Sequence, residues 1–420
     1  MEIPLGYQRI DVPESRSREF AAITEWAFAM TYQEGLAHLA NERLDWDRCR
    51  GLEVTDRDGE AAGGLAATHG SYGYTLRVPG GTVPASGLTW VAVHPAHRRR
   101  GLLTSMIADH FTRSRARGEA VSTLEAAETV IYQRFGYGMA APTYSAQLPR
   151  GVALRDVEGA ADLRVTIEDA DFARHMPIIE QVTARDTRPG AVVRFPAPML
   201  AAHFQDPEEW REGRERKRFI IVHDEQGPAA FALFQRKLAF ENSQANGHGE
   251  TDTWAATTAA SAHRMWSILG DLDLMKSFGV EGVALDDPLV TLASDVRGVG
   301  LRFRDQLWLR ILDVPAALEA RTYSADADVT IDVNDSLVAE NSRAWRVLVE
   351  GGKARVTRAQ RDATADVRIG IQELSAAYLG GVSLDSLAAA GLASEVRPGV
   401  VAGLSQAMRS RQSPRSTFMF

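Results

Sequence analysis

The sequence predicts a mixed α/β protein built of three units, and three observations carry that prediction. Between Leu88 and Leu124 a strand, a loop, a helix and a second strand follow one another. A degenerate version of the same order returns about 165 residues later, as an internal duplication would. From about Trp308 the pattern changes to a strand meander followed by helices, an α+β order. A chain of 420 residues exceeds one typical core, and its 45% apolar and 24% charged residues are ordinary for globular domains. The units are placed at 1–150, 151–305 and 306–420.

In the first unit apolar residues recur at helical spacing from Ser17 to Tyr32, and Leu36–Leu44 continues in that manner. Gly51–Thr55, Ala61–His69 and Tyr74–Val78 read as strands between Asp-Gly and Gly-Gly turns. Leu88–Val93 is a strand, His94–Arg100 a loop and Gly101–Arg117 an amphipathic helix. Val121–Leu124 is a strand, Glu128–Phe135 a short helix and Thr143–Leu148 a closing strand. After a linker near Pro149–Asp156, Val165–Gln181 reads as a helix and Phe219–Val222, Ala229–Lys237 and Glu250–Thr257 as strands. Ala259–Leu274 is a helix and Val283–Leu285 a strand. In the third unit Val329–Val333, Ala344–Glu350, Ala354–Thr357 and Ala365–Ile369 are strands. Ile371–Leu379, Ser383–Ala390 and Pro398–Met408 are helices.

A net charge of −8 argues against general nucleic-acid binding, which needs a basic face. The one cysteine, Cys49, excludes intramolecular disulfides and thiolate zinc sites. No run of about 18 apolar residues occurs, and the first twenty residues lack a signal-like apolar core. A soluble cytoplasmic protein without a membrane partner is expected, with secretion left open.

The chemistry concentrates in LTWVAVHPAHRRRGLL, where a strand ends, a loop follows and a helix starts at Gly101. Helix starts expose backbone N–H groups and partial positive charge, which suit phosphate. Glycine lets the backbone approach the anion, and arginines add charge-assisted hydrogen bonds. A solvated basic run is the plainer alternative, although arginines oppose the helix dipole there. His94 and His97 have H-x-x-H spacing without a third ligand, so no metal is assigned.

This arrangement, with Val91, Val93, Arg98 and Gly101 in register, resembles the acetyl-CoA motif of GNAT N-acetyltransferases. Leu103 departs from it, because many relatives carry Gly or Ala there. Together with IYQRFGYG at Ile131–Gly138 and a terminal Phe, the chain resembles the Eis-like (enhanced intracellular survival) acetyltransferases. That resemblance implies tandem GNAT domains, the second degenerate, followed by a sterol-carrier-like domain. It also implies acetyl-CoA as cosubstrate, a homo-oligomer (a hexamer) and transfer to amines of a cationic, aminoglycoside-like or polyamine acceptor, or of lysine. In that family Val91, Ala92 and Val93 would pair with the pantetheine arm, and the backbone of Arg99, Arg100, Gly101, Leu102, Leu103 and Thr104 would hold the pyrophosphate. Ala127 and Glu128 would touch coenzyme A, Tyr132 would act as general acid and the Phe420 carboxylate as general base.

On spacing alone Tyr132 reads as one more half-buried aromatic, and Phe420 as part of a frayed tail. ATTAASAHRMW stands in the second unit where the arginine–glycine loop would be, so that unit is expected to have lost cofactor binding. Asp286-Asp287-Pro288 reads as a capped turn. Leu374, Tyr378, Leu379 and Leu387 read as core, not as a lipid tunnel. Glu25, Trp26, Phe28, Tyr32 and Glu34 are candidates for an acceptor pocket, without an assigned role. The competing function is a non-catalytic acyl-CoA or lipid-binding protein using the third unit.

Overall fold

The computed structural model describes residues 3–32, 36–55, 62–360 and 363–418. Its first half runs β1 (Tyr7–Asp11), α1 (Ser17–Phe28), α2 (Ala37–Glu42), β2 (Arg50–Val54), β3 (Leu65–Val78), β4 (Gly81–Val93), α3 (Leu102–Ala116), β5 (Val121–Leu124), α4 (Thr129–Gln133) and β6 (Gly138–Pro149). The second runs β7 (Arg164–Asp169), α5 (Phe172–Arg185), β8 (Val192–Arg194), α6 (Ala197–Phe204), β9 (Arg218–Asp224), β10 (Gly227–Lys237), β11 (Phe240–Glu241), β12 (Gln244–Ala245), β13 (Gly247–Ala256), α7 (Ala259–Leu269), β14 (Met275–Ala284), α8 (Pro288–Leu292) and β15 (Arg302–Ile311). The third holds α9 (Val314–Ala320), β16 (Ala327–Asn334), β17 (Arg343–Glu350), β18 (Lys353–Arg358), β19 (Val367–Gly370), α10 (Ile371–Ala377), α11 (Leu384–Ala389), β20 (Ala393–Glu395) and α12 (Val400–Met408).

One large sheet spans the first two units in the order β1-β2-β3-β4-β5-β15-β6-β14-β13-β10-β9-β7, with β8 paired to β3. The two halves exchange their last strands. β15 lies between β5 and β6, antiparallel to both, while β6 lies between β15 and β14. The boundary expected at 305/306 therefore falls inside a strand that completes the first unit's sheet. The third unit forms its own sheet, β18-β17-β16-β19-β20. It is docked closely: a Cβ on Gly138 of β6 would lie 2.2 Å from the Gln372 carbonyl of α10, so only glycine fits there.

Three sequence expectations require correction. In the first, the helix expected over Ala259–Leu274 ends at Leu269 and the strand expected at Val283–Leu285 begins already at Met275. Val165–Gln181 is not one helix, because Arg164–Asp169 is strand β7 on the sheet edge and the helix begins at Phe172. The β-branched Val165, Thr166 and Ile167 favour the strand, and the Asp171 side chain accepts from Arg174 N at 2.8 Å to start α5. The strands expected at Ala61–His69 and Tyr74–Val78 are one strand, β3, which runs unbroken through Gly70 and Gly73 (Ala61 lies outside the described residues). Leu374, Tyr378 and Leu379 are fully buried in the main core and Leu387 packs against it, as expected.

Candidate functional site

The parallel pairing of β4 with β5 covers only Ala85–Gly87 against Val121–Thr123, after which the strands part. Against β3, two residues of β4, Trp90 and Val91, stand opposite the single residue His69, which makes a β-bulge. Trp90 sits at φ 54°, a left-handed conformation costly for a non-glycine residue. Its ring is fixed by stacking on Tyr32 at 6.2 Å and by Phe20 at 6.1 Å. Bulges bend a strand locally and re-aim its side chains, and here the two bulge residues line different cavities, Val91 the first and Trp90 the second.

The first cavity, about 590 Å³, opens between the parted strands. Val91, Ala92 and Val93 line it, and so do Arg98, Arg99, Gly101, Leu102, Leu103 and Thr104 from the loop and the start of α3. Ala127, Glu128 and Tyr132 complete the wall. The loop has two left-handed residues, Arg99 at φ 60° and Gly101 at φ 80°, and no side chain caps α3. Alternating backbone conformations of this kind turn successive N–H groups to one side, as anion nests do. Arg100 departs from the group, since its guanidinium turns to the Tyr7 hydroxyl at 2.8 Å and the His97 ring at 3.4 Å, bracing the loop. Tyr132, like Val91 and Leu103, packs against the buried cluster that holds Phe135, its ring edge-on to Tyr137 at 5.9 Å. Burial, helped by the Glu128 charge, pushes its phenol up to about 12. It is thus a protonated donor at neutral pH.

The second cavity, about 440 Å³, is lined by Trp90 and walled by both halves of the chain, including Arg43, Tyr72, Trp210, His203, Lys217 and Asp252. Burial would raise the Asp252 carboxyl, but His203 at 2.5 Å and Lys217 at 2.7 Å outweigh it and hold it well below the usual range. Glu125, at the end of β5, is open to solvent yet hemmed in by protein. Desolvation and the charges of Asp305 and Glu281 raise its carboxyl to about 7 despite the opposing pull of His203. The Phe418 ring lies 5.8 Å from that of His203. Phe420 and Glu34 lie outside the described residues.

Of the early aromatics, Phe28 lines the first cavity, Tyr32 supports Trp90, and Trp26 rests on His94 at 5.4 Å. Glu25 accepts a hydrogen bond from Tyr32 N at 2.5 Å. Sequence reasoning missed Trp90, Glu125, His203 and Asp252. For Glu125 a signal existed: a lone acid directly after a short apolar strand, at the end where α3 begins. Trp90 depends on the pairing of β3 with β4, and His203 and Asp252 meet across 49 residues, so none of them has a local signal.

The second unit repeats the parting: β13 and β14 pair only from Gly247–Glu250 to Met275–Gly279. Its helix start is closed, however. The Thr258 hydroxyl accepts from Ser261 N at 3.1 Å, and the Ser261 hydroxyl accepts from Thr258 N at 3.2 Å, a reciprocal capping box. Asp287 caps α8 through Leu289 N at 3.0 Å, the turn expected of Asp-Asp-Pro.

Comparison with known proteins follows the same division. Models for an acetyltransferase (GNAT) domain match residues 10–140 and 190–311, and a sterol carrier protein domain model matches 314–416. The chain is 36% identical, over 90% of its length and 92% of the relative's, to an uncharacterized N-acetyltransferase of Streptomyces avermitilis. To the N-acetyltransferase Eis of Mycobacterium tuberculosis it is 31% identical, over 80% of its length and 81% of that protein's. The crystal structure of Eis1 from Mycobacterium abscessus superposes with a TM-score of 0.81 at 28% identity, covering 98% of this chain and 100% of that one.

Proposed function

Because the chain belongs to the Eis-like family of GNAT N-acetyltransferases and is thus an acetyl-CoA-dependent acetyltransferase, we propose that its acceptor is a primary amine of a cationic molecule, aminoglycoside-like or polyamine, or a lysine side chain. One observation carries the reading: the uncapped start of α3 and Tyr132 line one cavity together with Val91, while its neighbour Trp90 in the bulge lines a second, polar cavity.

The residues of the first cavity fit acetyl-CoA. The α3 N–H groups with Arg98 and Arg99 suit its pyrophosphate, and the unpaired edge at Val91–Val93 suits its amide-bearing arm. Bound there, acetyl-CoA supplies a thioester that an amine can attack. Tyr132 then donates its proton to the departing sulfur, acting as general acid. The proton lost by the amine nitrogen goes to the Phe420 carboxylate, two residues beyond Phe418, which borders the acceptor cavity through His203. Arg99 to Thr104, Ala127 and Glu128 keep their assigned contacts in this scheme, Arg100 through its backbone. Desolvation is the main cause of the raised Glu125 carboxyl, but Asp305 and Glu281 lie close enough to raise it further, and such a group of acids suits a cationic acceptor better than a neutral one. A hexameric homo-oligomer completes the reading.

Thiol release from acetyl-CoA, followed against aminoglycosides, polyamines, lysine peptides and neutral alcohols, tests the proposal. Release with the polycationic amines and not with the alcohols is expected. Saturable acetyl-CoA binding without release for any amine would overturn it and favour a binding protein.

A further inference from the structure

The second unit keeps the parted strands of a cofactor cleft but closes its helix start, and the chain's own tail lies where the strands part. Ser413 N donates to Asp286 at 2.9 Å, and Arg188 donates to Ser413 O at 2.7 Å. Arg415 is 4% exposed, stacks its guanidinium 3.9 Å over the Trp254 ring and donates to Trp254 O at 3.0 Å. Arg415 N donates to Pro189 O at 2.8 Å, beside Gly190, where a Cβ would lie 2.8 Å from the Arg415 carbonyl. Gln306 grips the next residue with both ends of its amide: Oε1 accepts from Ser416 N at 2.9 Å and Nε2 donates to Ser416 O at 3.1 Å. The Thr253 hydroxyl donates to Thr417 O at 2.8 Å, and Phe418, 1% exposed, packs on Phe195 at 5.1 Å.

These partners are not scattered. Thr253 and Trp254 lie on β13 beyond its last pairing with β14, at Glu250. Asp286 lies between β14 and α8, as Ala127 lies between β5 and α4 in the first unit. Gln306 sits on the exchanged strand β15, against Gly282 of β14. Termini are usually loose unless tied down, and six consecutive residues tied by backbone hydrogen bonds, stacking and burial make a built receptor.

We propose that the second GNAT-like unit has exchanged a cofactor for the chain's own tail, and that Gln306, Arg415 and Thr253 are positioning residues that hold the chain end at the acceptor cavity. The inference rests on the reading that the Phe420 carboxylate takes the amine proton. Misplacing a reacting group by about 1 Å can cost about 10²-fold in rate, so loosening the grip should reach chemistry without touching acetyl-CoA.

The test compares the full chain, Gln306→Leu, the near-isosteric Thr253→Val, a form extended by one glycine after Phe420, and Gln306→Leu in the extended form. Each is measured for acetyl-CoA Kd, for kcat against pH and for melting temperature. The expectation for Gln306→Leu is a kcat lower by about tenfold or more with Kd within about twofold. Its kcat should then climb with pH, as the acceptor amine deprotonates without help. Thr253→Val should fall by less, and it carries the test if Gln306→Leu fails to fold. The extended form should lose turnover, and adding Gln306→Leu to it should lower kcat no further. If the extension cripples the enzyme while Gln306→Leu and Thr253→Val turn over normally, the tail receptor is overturned and the Phe420 reading stands. If the extended form is fully active, the Phe420 reading fails and the positioning role falls with it.

Discussion

Asp335→Ala tests how the third unit supports the cavity lined by Tyr132. Arg310 on β15 is fully buried, and its guanidinium meets both Asp335 oxygens at 2.6 and 2.7 Å. Its Nε donates to the Phe135 carbonyl at 2.8 Å, three residues past Tyr132, and a Cβ on Gly136 would lie 2.7 Å from that Nε. Asp335 also accepts from Leu337 N at 3.1 Å, Val338 N at 3.0 Å and the Asn341 amide at 3.0 Å. Removing one partner of a buried ion pair costs about 3–5 kcal/mol, because the other charge is left uncompensated. The lost backbone bonds add about 1 kcal/mol each, so urea denaturation should show a loss of about 4 kcal/mol or more. A double change, Arg310→Met with Asp335→Leu, leaves no orphan charge and should be less destabilised than Asp335→Ala alone. A single-variant loss below about 1 kcal/mol, or a double variant worse than the single, would refute the reasoning.

Three further perturbations probe the sites separately. Gly101→Ala forces a Cβ into a left-handed residue at φ 80°, so it should cost about 1 kcal/mol of stability and weaken acetyl-CoA binding in calorimetry. Thr258→Ala breaks the capping box of α7 and should cost about 1 kcal/mol in thermal melts while leaving acetyl-CoA affinity unchanged. Glu125→Gln concerns pH. The folded-state value of about 7 lies above the ordinary 4.5, so the folded chain binds that proton more tightly and stability falls as pH rises between the two values. Glu125→Gln should therefore raise the melting temperature at pH 8 and not at pH 4. It should also abolish a fall in KM for a cationic acceptor as pH rises through about 7, and an unchanged KM profile would count against Glu125 meeting the acceptor.

Much of the fold was legible because its signals are local. The strand–loop–helix around Gly101, strand β5 at Val121–Leu124 and the third unit's meander emerge from periodicity and turn residues close to where the structure has them. Edge strand β7 was missed because it is short and partly exposed on the sheet edge, with α5 starting three residues after it, so its β-branched run was merged into the helix pattern. The exchange of β6 and β15 pairs residues well over a hundred positions apart, and no local pattern encodes it. Of the first cavity's lining, Arg98, Arg99 and Gly101–Thr104 were legible as arginines and a glycine at a helix start, whereas Val91–Val93 came from the family resemblance. The bulge at Trp90 was not legible, since its strain is imposed by the pairing of β3 with β4. Likewise Gln306 and Thr253 look like ordinary strand residues until the tail is laid against them.

The most direct test of acetyl transfer at the Val91–Tyr132 cavity is Tyr132→Phe, measured for kcat and for acetyl-CoA Kd on the same preparation. Loss of a positioned proton donor predicts a kcat lower by about 10²-fold or more, with Kd within about twofold. A variant that turns over at the full rate would remove Tyr132 from proton transfer and contradict the account.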